Sequence, residues 1–306
     1  MSGLFTFGET MGLVAADGIG LLEYARSFSF AIGGAESNVA IGVARLGGRA
    51  TWLGRVGRDA TGDLIANRLR HEGVTTHAIR DDAFTGLMVR YRRTGALTHV
   101  DYHRAGSAGS RLSPADLPAS FSDIDILHVT GITPALSAGA RAAVFQAVEQ
   151  ARADGVTVSV DVNYRAKLWS RFDAAPVLRD LVTRADIAFA GPDEAALFVG
   201  DGDPVAGLAG LGPAEVVVKD GARGCAALIE GRRYEVPALA ATVVDPVGAG
   251  DAFVAGYLAD RMAGAAAGPR LRTAIAVGAF AVTTPGDCEG LPYRDDLVAA
   301  TDNVTR

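Results

Sequence analysis

Gly248, Ala249, Gly250 and Asp251 stand directly before AFVAGYLA, a small apolar run that reads as a helix. A helix N-terminus carries unpaired backbone N–H groups and a partial positive charge. Glycines there let an anion approach those N–H groups closely. The pattern suits a phosphate or a developing phosphoryl oxyanion. A carboxylate in the first turn, Asp251, is then placed to take the proton of a hydroxyl that attacks phosphorus. Taken alone, the same four residues also describe a tight turn with an aspartate favoured by the helix dipole. For an isolated GxGD that plainer reading is the commoner one.

The elements that must position these groups follow from periodicity. FTFGE near Phe5, ATWLGRVG near Trp52, ILHVTG near His128, VTVSVDVN near Val158, DIAFAG near Ile187 and EVVVKDG near Val217 read as strands. Several are apolar throughout, as strands covered on both faces tend to be. Helical patterns lie between them and stop at glycines: ESNVAIGVARLGG at Gly47, TGDLIANRLRHEG at Gly73, and a run from a Ser137 N-cap to Gly155. This alternation predicts an α/β fold with a mostly parallel central sheet and helices on both faces. Two stretches break the rhythm. GLMVRYRRTGALTHVDYHR, from Gly86 to Arg104, reads as a hairpin around an Arg-Thr-Gly turn, and Leu13 to Phe30 has no helical pattern. Together, at about 13–31 and 84–104, they predict a small β-sheet lid on a single domain spanning 1–306. Such a lid suits the C-terminal strand ends, where open α/β sheets bind ligands.

Composition narrows the classes. The chain has 306 residues, 49% of them apolar, and a net charge of −6. That supports a sizeable core and argues against a broad nucleic-acid surface. No apolar run approaches the roughly 20 residues needed to span a bilayer. Cys225 and Cys288 lie far apart in no CxxC pair, and MSGLFTFGET has no basic stretch before an apolar region, so a cytoplasmic location is expected. The five histidines show no HExxH spacing, and neither a full GxGxxG nor a GxxxxGK[ST] motif is present.

GGAESNVAIGVARLGG from Gly33, WLGRVGRDATGD from Trp52 and DPVGAGDAFVAGYLA from Asp245 together resemble the ribokinase-like, PfkB-type family of carbohydrate kinases, in order and spacing and over essentially the whole chain. The resemblance implies a magnesium-dependent, ATP-dependent kinase with a β-lid. Its GAGD motif, which supplies anion hole and base, falls on Gly248 to Asp251, although Pro246-Val247 stands where many relatives have two threonines. Gly33, Gly34 and Asn38 would then meet a sugar; otherwise they are a glycine turn with a capping residue. VKDGARGC resembles the family's nucleotide loop, with Lys219 and Gly221 near the ATP phosphates and Gly224 tightening the turn. Asn163 belongs with these nucleotide contacts. Glu194 matches the glutamate of an NxxE motif that acts on magnesium through water, with Gly191 in place of the asparagine; the same stretch is also a plain helix start. Asp17 is a loose match to an early acidic residue that binds substrate hydroxyls.

YHRAGSAGS from Tyr102, GITPALS from Gly131 and DVNYRAKLW from Asp161 resemble the 2-keto-3-deoxygluconate kinases within that family. The acceptor is then a sugar acid, whose carboxylate suits the planar fork of a guanidinium. By that resemblance Gly34, Tyr102, Arg104, Ile132 and Arg165 contact the substrate, with Tyr91 a weaker candidate. A surface salt bridge for each arginine is the alternative. A related acceptor (2-keto-3-deoxygalactonate, fructose or another ketose) and a non-catalytic sugar- or nucleotide-binding module are the competing functions. The partners expected are a sugar acid, ATP and a second copy of the chain, without nucleic acid or membrane.

Overall fold

Strands that are apolar from end to end have nowhere to go but a sheet covered on both sides, and here that sheet runs through the whole chain. The structure is a computed structural model and describes residues 3–95, 97–200 and 202–302. In chain order the first elements are β1 (Leu4–Phe7), β2 (Met11–Ile19), β3 (Phe28–Gly33), α1 (Ala35–Arg45), β4 (Ala50–Gly57), α2 (Ala60–His71), β5 (Thr75–Asp81), β6 (Leu87–Arg92) and β7 (Thr98–His103). There follow β8 (Ile126–Thr130), α3 (Thr133–Leu136), α4 (Ala138–Ala153), β9 (Thr157–Asp161), α5 (Arg171–Thr183), β10 (Ile187–Ala190), α6 (Pro192–Ala195) and α7 (Pro204–Ala209). The last are β11 (Glu215–Lys219), β12 (Cys225–Ile229), β13 (Arg232–Val236), α8 (Ala249–Met262), α9 (Ala267–Ala281) and α10 (Arg294–Asp302).

Nine strands form one sheet in the order β13-β12-β11-β10-β9-β8-β1-β4-β5. It is parallel from β11 to β5, and β12 and β13 add antiparallel at one edge. Alternate residues feed two cores. Leu4, Trp52, Ile126, Ile187 and Val217 pack under α1, α2, α8 and α9. Phe5, Leu53, Leu127, Val158 and Val216 pack under α4, α5 and α7. The stops read from the sequence hold: Gly47, Gly73 and Gly155 have φ of 87°, 80° and 73°, and the Ser137 hydroxyl accepts from Ala140 N at 3.1 Å. Among the described residues no helix is long and apolar enough to cross a membrane.

The remaining strands form a separate four-stranded sheet, β3-β2-β6-β7. β6 and β7 are the antiparallel pair expected from the Gly86–Arg104 stretch. The sequence does not announce that β2 and β6 pair in parallel. That pairing follows from the connections: β2 leaves the C-terminal end of β1 and β6 leaves the C-terminal end of β5, so both leave the large sheet the same way. The small sheet therefore springs from the C-terminal strand ends. Its apolar core is slight, with Met11, Leu13 and Met88 buried together.

Candidate active site

The first turn of α8 is aimed by Gly248, whose φ of 78° is in the left-handed region. A Cβ there would also come within 2.2 Å of the Asp287 carbonyl oxygen, so the position is closed to other residues on two grounds. Asp251, 8% exposed, follows in that turn. Asn38 Nδ2 donates to its Oδ2 at 2.9 Å, and Asn163 Nδ2 lies 3.4 Å from its Oδ1. Burial pushes the Asp251 carboxyl up to about 6, against the pull of the Asn38 hydrogen bond and the Arg165 charge. A carboxyl tuned towards neutrality is what a general base needs.

Two strand ends supply the neighbours. β9, TVSVD, is buried almost throughout and ends on Asp161, and β11 runs through three valines to end on Lys219. Lys219 Nζ donates to Asp161 Oδ2 at 2.5 Å and lies 3.5 Å from where a Cβ of Gly250 would be. Burial works against the lysine's charge, but Asp161 and Glu194 outweigh it and hold its pKa above the usual value. Asn163, just past β9, has φ of 38°, a conformation asparagine accepts more readily than most residues. Two buried atoms of this corner, Asp161 Oδ1 and Asn38 Oδ1, have no hydrogen-bond partner.

Glu194 spends both oxygens on backbone: Oε2 accepts from Gly191 N at 2.7 Å and Oε1 from Tyr164 N at 2.9 Å. It thus ties the start of α6 to the turn after β9, and Gly191 contributes its N–H where an asparagine was expected. Burial first, then the Asp161 charge, raises its pKa. Among the described residues no three His, Cys, Asp or Glu side chains form a metal cage.

The sugar-side residues divide. Arg165 is exposed and, among the described residues, has no hydrogen bond or ion pair through its guanidinium, yet its charge is felt by Asp251 and Glu194. Arg104 is already taken: Nε and Nη2 lie 2.7 and 2.5 Å from Oε2 of the buried Glu9, whose Oε1 accepts the Ser107 hydroxyl. Tyr102 is 40% exposed, with the Arg104 guanidinium 5.7 Å and Lys167 Nζ 5.6 Å from its ring centre. Tyr91 stacks on His99 within the small sheet. Ile132 N donates to Thr130 Oγ1 at 3.1 Å. Gly33 and Gly34 join β3 to α1, and a Cβ on Gly34 would come within 2.6 Å of the Glu9 carbonyl oxygen. Asn38 is half engaged: its Nδ2 donates to Asp251, and its Oδ1 has no hydrogen-bond partner among the described residues. In the turn after β11 Gly221 has open space around it, whereas a Cβ on Gly224 would meet the Val236 carbonyl oxygen at 2.0 Å. Asp17 is exposed on β2.

Sequence reasoning passed over Glu9, Glu36, Arg90 and Asp287, all in or beside this region. Glu36 is buried in α1, accepts from the hydroxyls of Thr130 and Thr133 at 2.6 and 2.7 Å, and is raised in pKa chiefly by burial. For Glu36 in α1 and Arg90 in β6 the available signal was a charged residue at an inward position of an element; Glu9 and Asp287 lie in connections, which carry no such periodicity.

A mostly parallel sheet with a small second sheet at its C-terminal strand ends and a glycine turn opening α8 is a ribokinase-like architecture. The chain belongs to the pfkB family of carbohydrate kinases, whose profile matches residues 1–294, and it is a phosphotransferase acting on a sugar. It is 36% identical to a 2-dehydro-3-deoxygluconokinase of Bacillus subtilis, over 96% of this chain and 94% of that one. It is also 36% identical to a 2-dehydro-3-deoxygalactonokinase of Haloferax volcanii, over 93% and 92%. A fructokinase of Klebsiella pneumoniae is 38% identical over 87% and 90%. Among solved structures, one from Escherichia coli in complex with ATP and Mg2+ has a TM-score of 0.89 at 26% identity, covering 99% of this chain and 100% of that one.

Proposed function

We propose that this sugar kinase phosphorylates 2-keto-3-deoxygluconate on a primary hydroxyl, with ATP as donor and Asp251 as base. The observation that carries the reading is the buried Asp251 carboxyl, raised to about 6 and held by Asn38 at the N-terminus of α8. Asp251 takes the hydroxyl proton while that oxygen bonds to the γ-phosphorus and the bond to ADP breaks. Backbone N–H groups of the Gly248–Gly250 turn and Lys219 share the charge on the transferring oxygens. The open backbone at Gly221 suits close approach of the donor's phosphates, and Gly224 holds that turn against β13. Asn163, with its Nδ2 3.4 Å from Asp251 Oδ1, belongs with the nucleotide contacts, and the small sheet acts as a lid that keeps water from the phosphorus.

Magnesium, when bound, neutralises polyphosphate charge while held largely by phosphates and waters. The residues fit such a guest: Asp161 Oδ1 is a buried carboxylate oxygen without a partner, and Glu194 adds charge behind it. Arg165 is the group best suited to a sugar carboxylate, being charged, accessible and uncommitted, with Tyr102 and Ile132 completing the acceptor side. Both cysteines are free and buried, which suits a reducing compartment.

A second reading, fructose as acceptor, is favoured by one observation: Glu9 already neutralises Arg104, which leaves one uncommitted guanidinium rather than two. A panel of 2-keto-3-deoxygluconate, 2-keto-3-deoxygalactonate and fructose with ATP and magnesium decides. The expected result is the highest kcat/KM for 2-keto-3-deoxygluconate; a preference for fructose would overturn the sugar-acid reading and leave the kinase chemistry standing.

A further inference from the structure

Arg90 comes from the small sheet and is 6% exposed. Its Nη1 donates to Asp287 Oδ1 at 2.9 Å, across 197 residues of chain, and its Nη2 lies 3.2 Å from Asp245 Oδ2. Both partners belong to the loops that build the N-terminus of α8. Asp245 opens the DPVGAGD segment, accepting from Val247 N at 3.1 Å through Oδ1 and from Gly286 N at 3.2 Å through Oδ2. Asp287 is wedged between two glycines. A Cβ on Gly33 would lie 2.3 Å from its Oδ2, and one on Gly248 would lie 2.2 Å from its carbonyl oxygen.

One guanidinium from β6 therefore clips together the two loops that hold Gly248, and the residue it grips touches the glycine that aims the first turn of α8. Burial pushes the Asp287 carboxyl up to about 7, with Arg90 pulling against it. The pair thus draws on the lid strand for the charge that the loop cannot supply itself. A planar fork reaching two carboxylates on separate loops sets geometry as well as charge.

We propose that Arg90 is a positioning residue that latches the lid to the Gly248–Asp251 turn, so that the placing of the small sheet and the aim of the anion-hole amides and Asp251 are one event. This rests on the role given above to that turn, and not on the identity of the acceptor. The small sheet has few buried apolar residues of its own to seat it, which makes a polar latch consequential.

The test uses the full chain with ATP and magnesium, with 2-keto-3-deoxygluconate, with fructose and with neither sugar. Arg90→Met is expected to lower kcat about 10- to 100-fold, as small misplacements of reacting groups do, with the KM for ATP little changed. It should also raise the ATP hydrolysed per sugar phosphorylated. Arg90→Lys, which keeps charge without the fork, should recover part of the rate and part of the coupling. Because methionine leaves buried carboxylates unpaired, the Arg90→Met, Asp287→Asn double variant is made as well. It is expected to melt above the single variant yet keep the low kcat and the ATP leak. Wild-type kcat and coupling in Arg90→Lys or in the double variant would overturn the latch. If the wild type phosphorylates neither sugar, the acceptor reading fails, while the arm without sugar still reads the latch: raised ATP hydrolysis in Arg90→Met supports it and unchanged hydrolysis overturns it.

Discussion

At the ends of β9 and β11, Asp161 Oδ1 and Asn38 Oδ1 are buried without partners among the described residues, and Arg165 nearby carries no ion pair among them. At the end of β7 the same kinds of groups meet, but Glu9 has both oxygens engaged, one by Arg104 and one by Ser107. The comparison separates hydrogen-bonding capacity left over from capacity already spent. A buried polar atom without a partner costs free energy that a ligand can recover, whereas a satisfied ion pair returns nothing when a ligand arrives. The first corner therefore reads as a place for substrates, the second as part of the frame that holds the lid.

The sharpest way to break the comparison is Asp251→Asn. It removes the base while keeping size and an Asn38 contact, and turnover should fall about 10²- to 10⁴-fold with ATP binding retained. Near-normal turnover in a steady-state assay would strip Asp251 of its role and leave the first corner without a chemical purpose.

The two arginines sharpen it next, because they should fail in different ways. Arg104→Ala strands the buried Glu9 carboxylate, and a loss of about 3–5 kcal/mol in denaturant unfolding is expected. Arg165→Ala should leave stability within about 0.5 kcal/mol. It should instead raise the KM for a sugar acid about tenfold or more, the worth of a charge-assisted hydrogen bond, and barely touch fructose. Equal stability losses in the two variants would erase the distinction between spent and unspent charge.

The smallest effect is on pH. The base must be ionised, so kcat/KM should fall about tenfold per pH unit below about 6, where Asp251 titrates in the free enzyme. Stability should move the other way. Asp251 and Asp287 have folded-state values near 6 and 7, above the ordinary 3.8, so between these limits the folded protein binds more protons than the unfolded chain. Their contribution is whole below about 3.8 and is lost as pH rises through about 6 to 7. A rate profile flat down to pH 5, or a melting temperature whose pH dependence is untouched by Asp251→Asn, would contradict this.

Much of the fold was legible because its signals are local. Short, largely apolar runs rich in β-branched and aromatic residues mark β1, β8, β9, β10 and β11, and glycines at Gly47, Gly73 and Gly155 stop helices whatever lies around them. β5 was missed, since TTHAIRD at the sheet edge alternates with polar residues and has no apolar run. The Gly248–Asp251 turn was legible locally only as a glycine turn before a helix; its chemical reading came from the resemblance of the segments around it to a kinase family. Arg104 shows the limit. The resemblance of its segment implied a contact with the sugar carboxylate, with a surface salt bridge as the alternative, and only the fold shows its pairing with the buried Glu9, 95 positions away.

By itself the chain of residues determined most of the strand and helix order, the α/β class, and the glycine turn with Asp251 that opens α8, because these depend on side-chain type and spacing within a few residues. The folded structure alone decided which charges are spent. Glu9 with Arg104, Arg90 with Asp245 and Asp287, and Asn38 with Asp251 are joined across 95 to more than 150 positions. Electrostatic pairing depends on distance in space and on burial, and neither is written in the order of the residues.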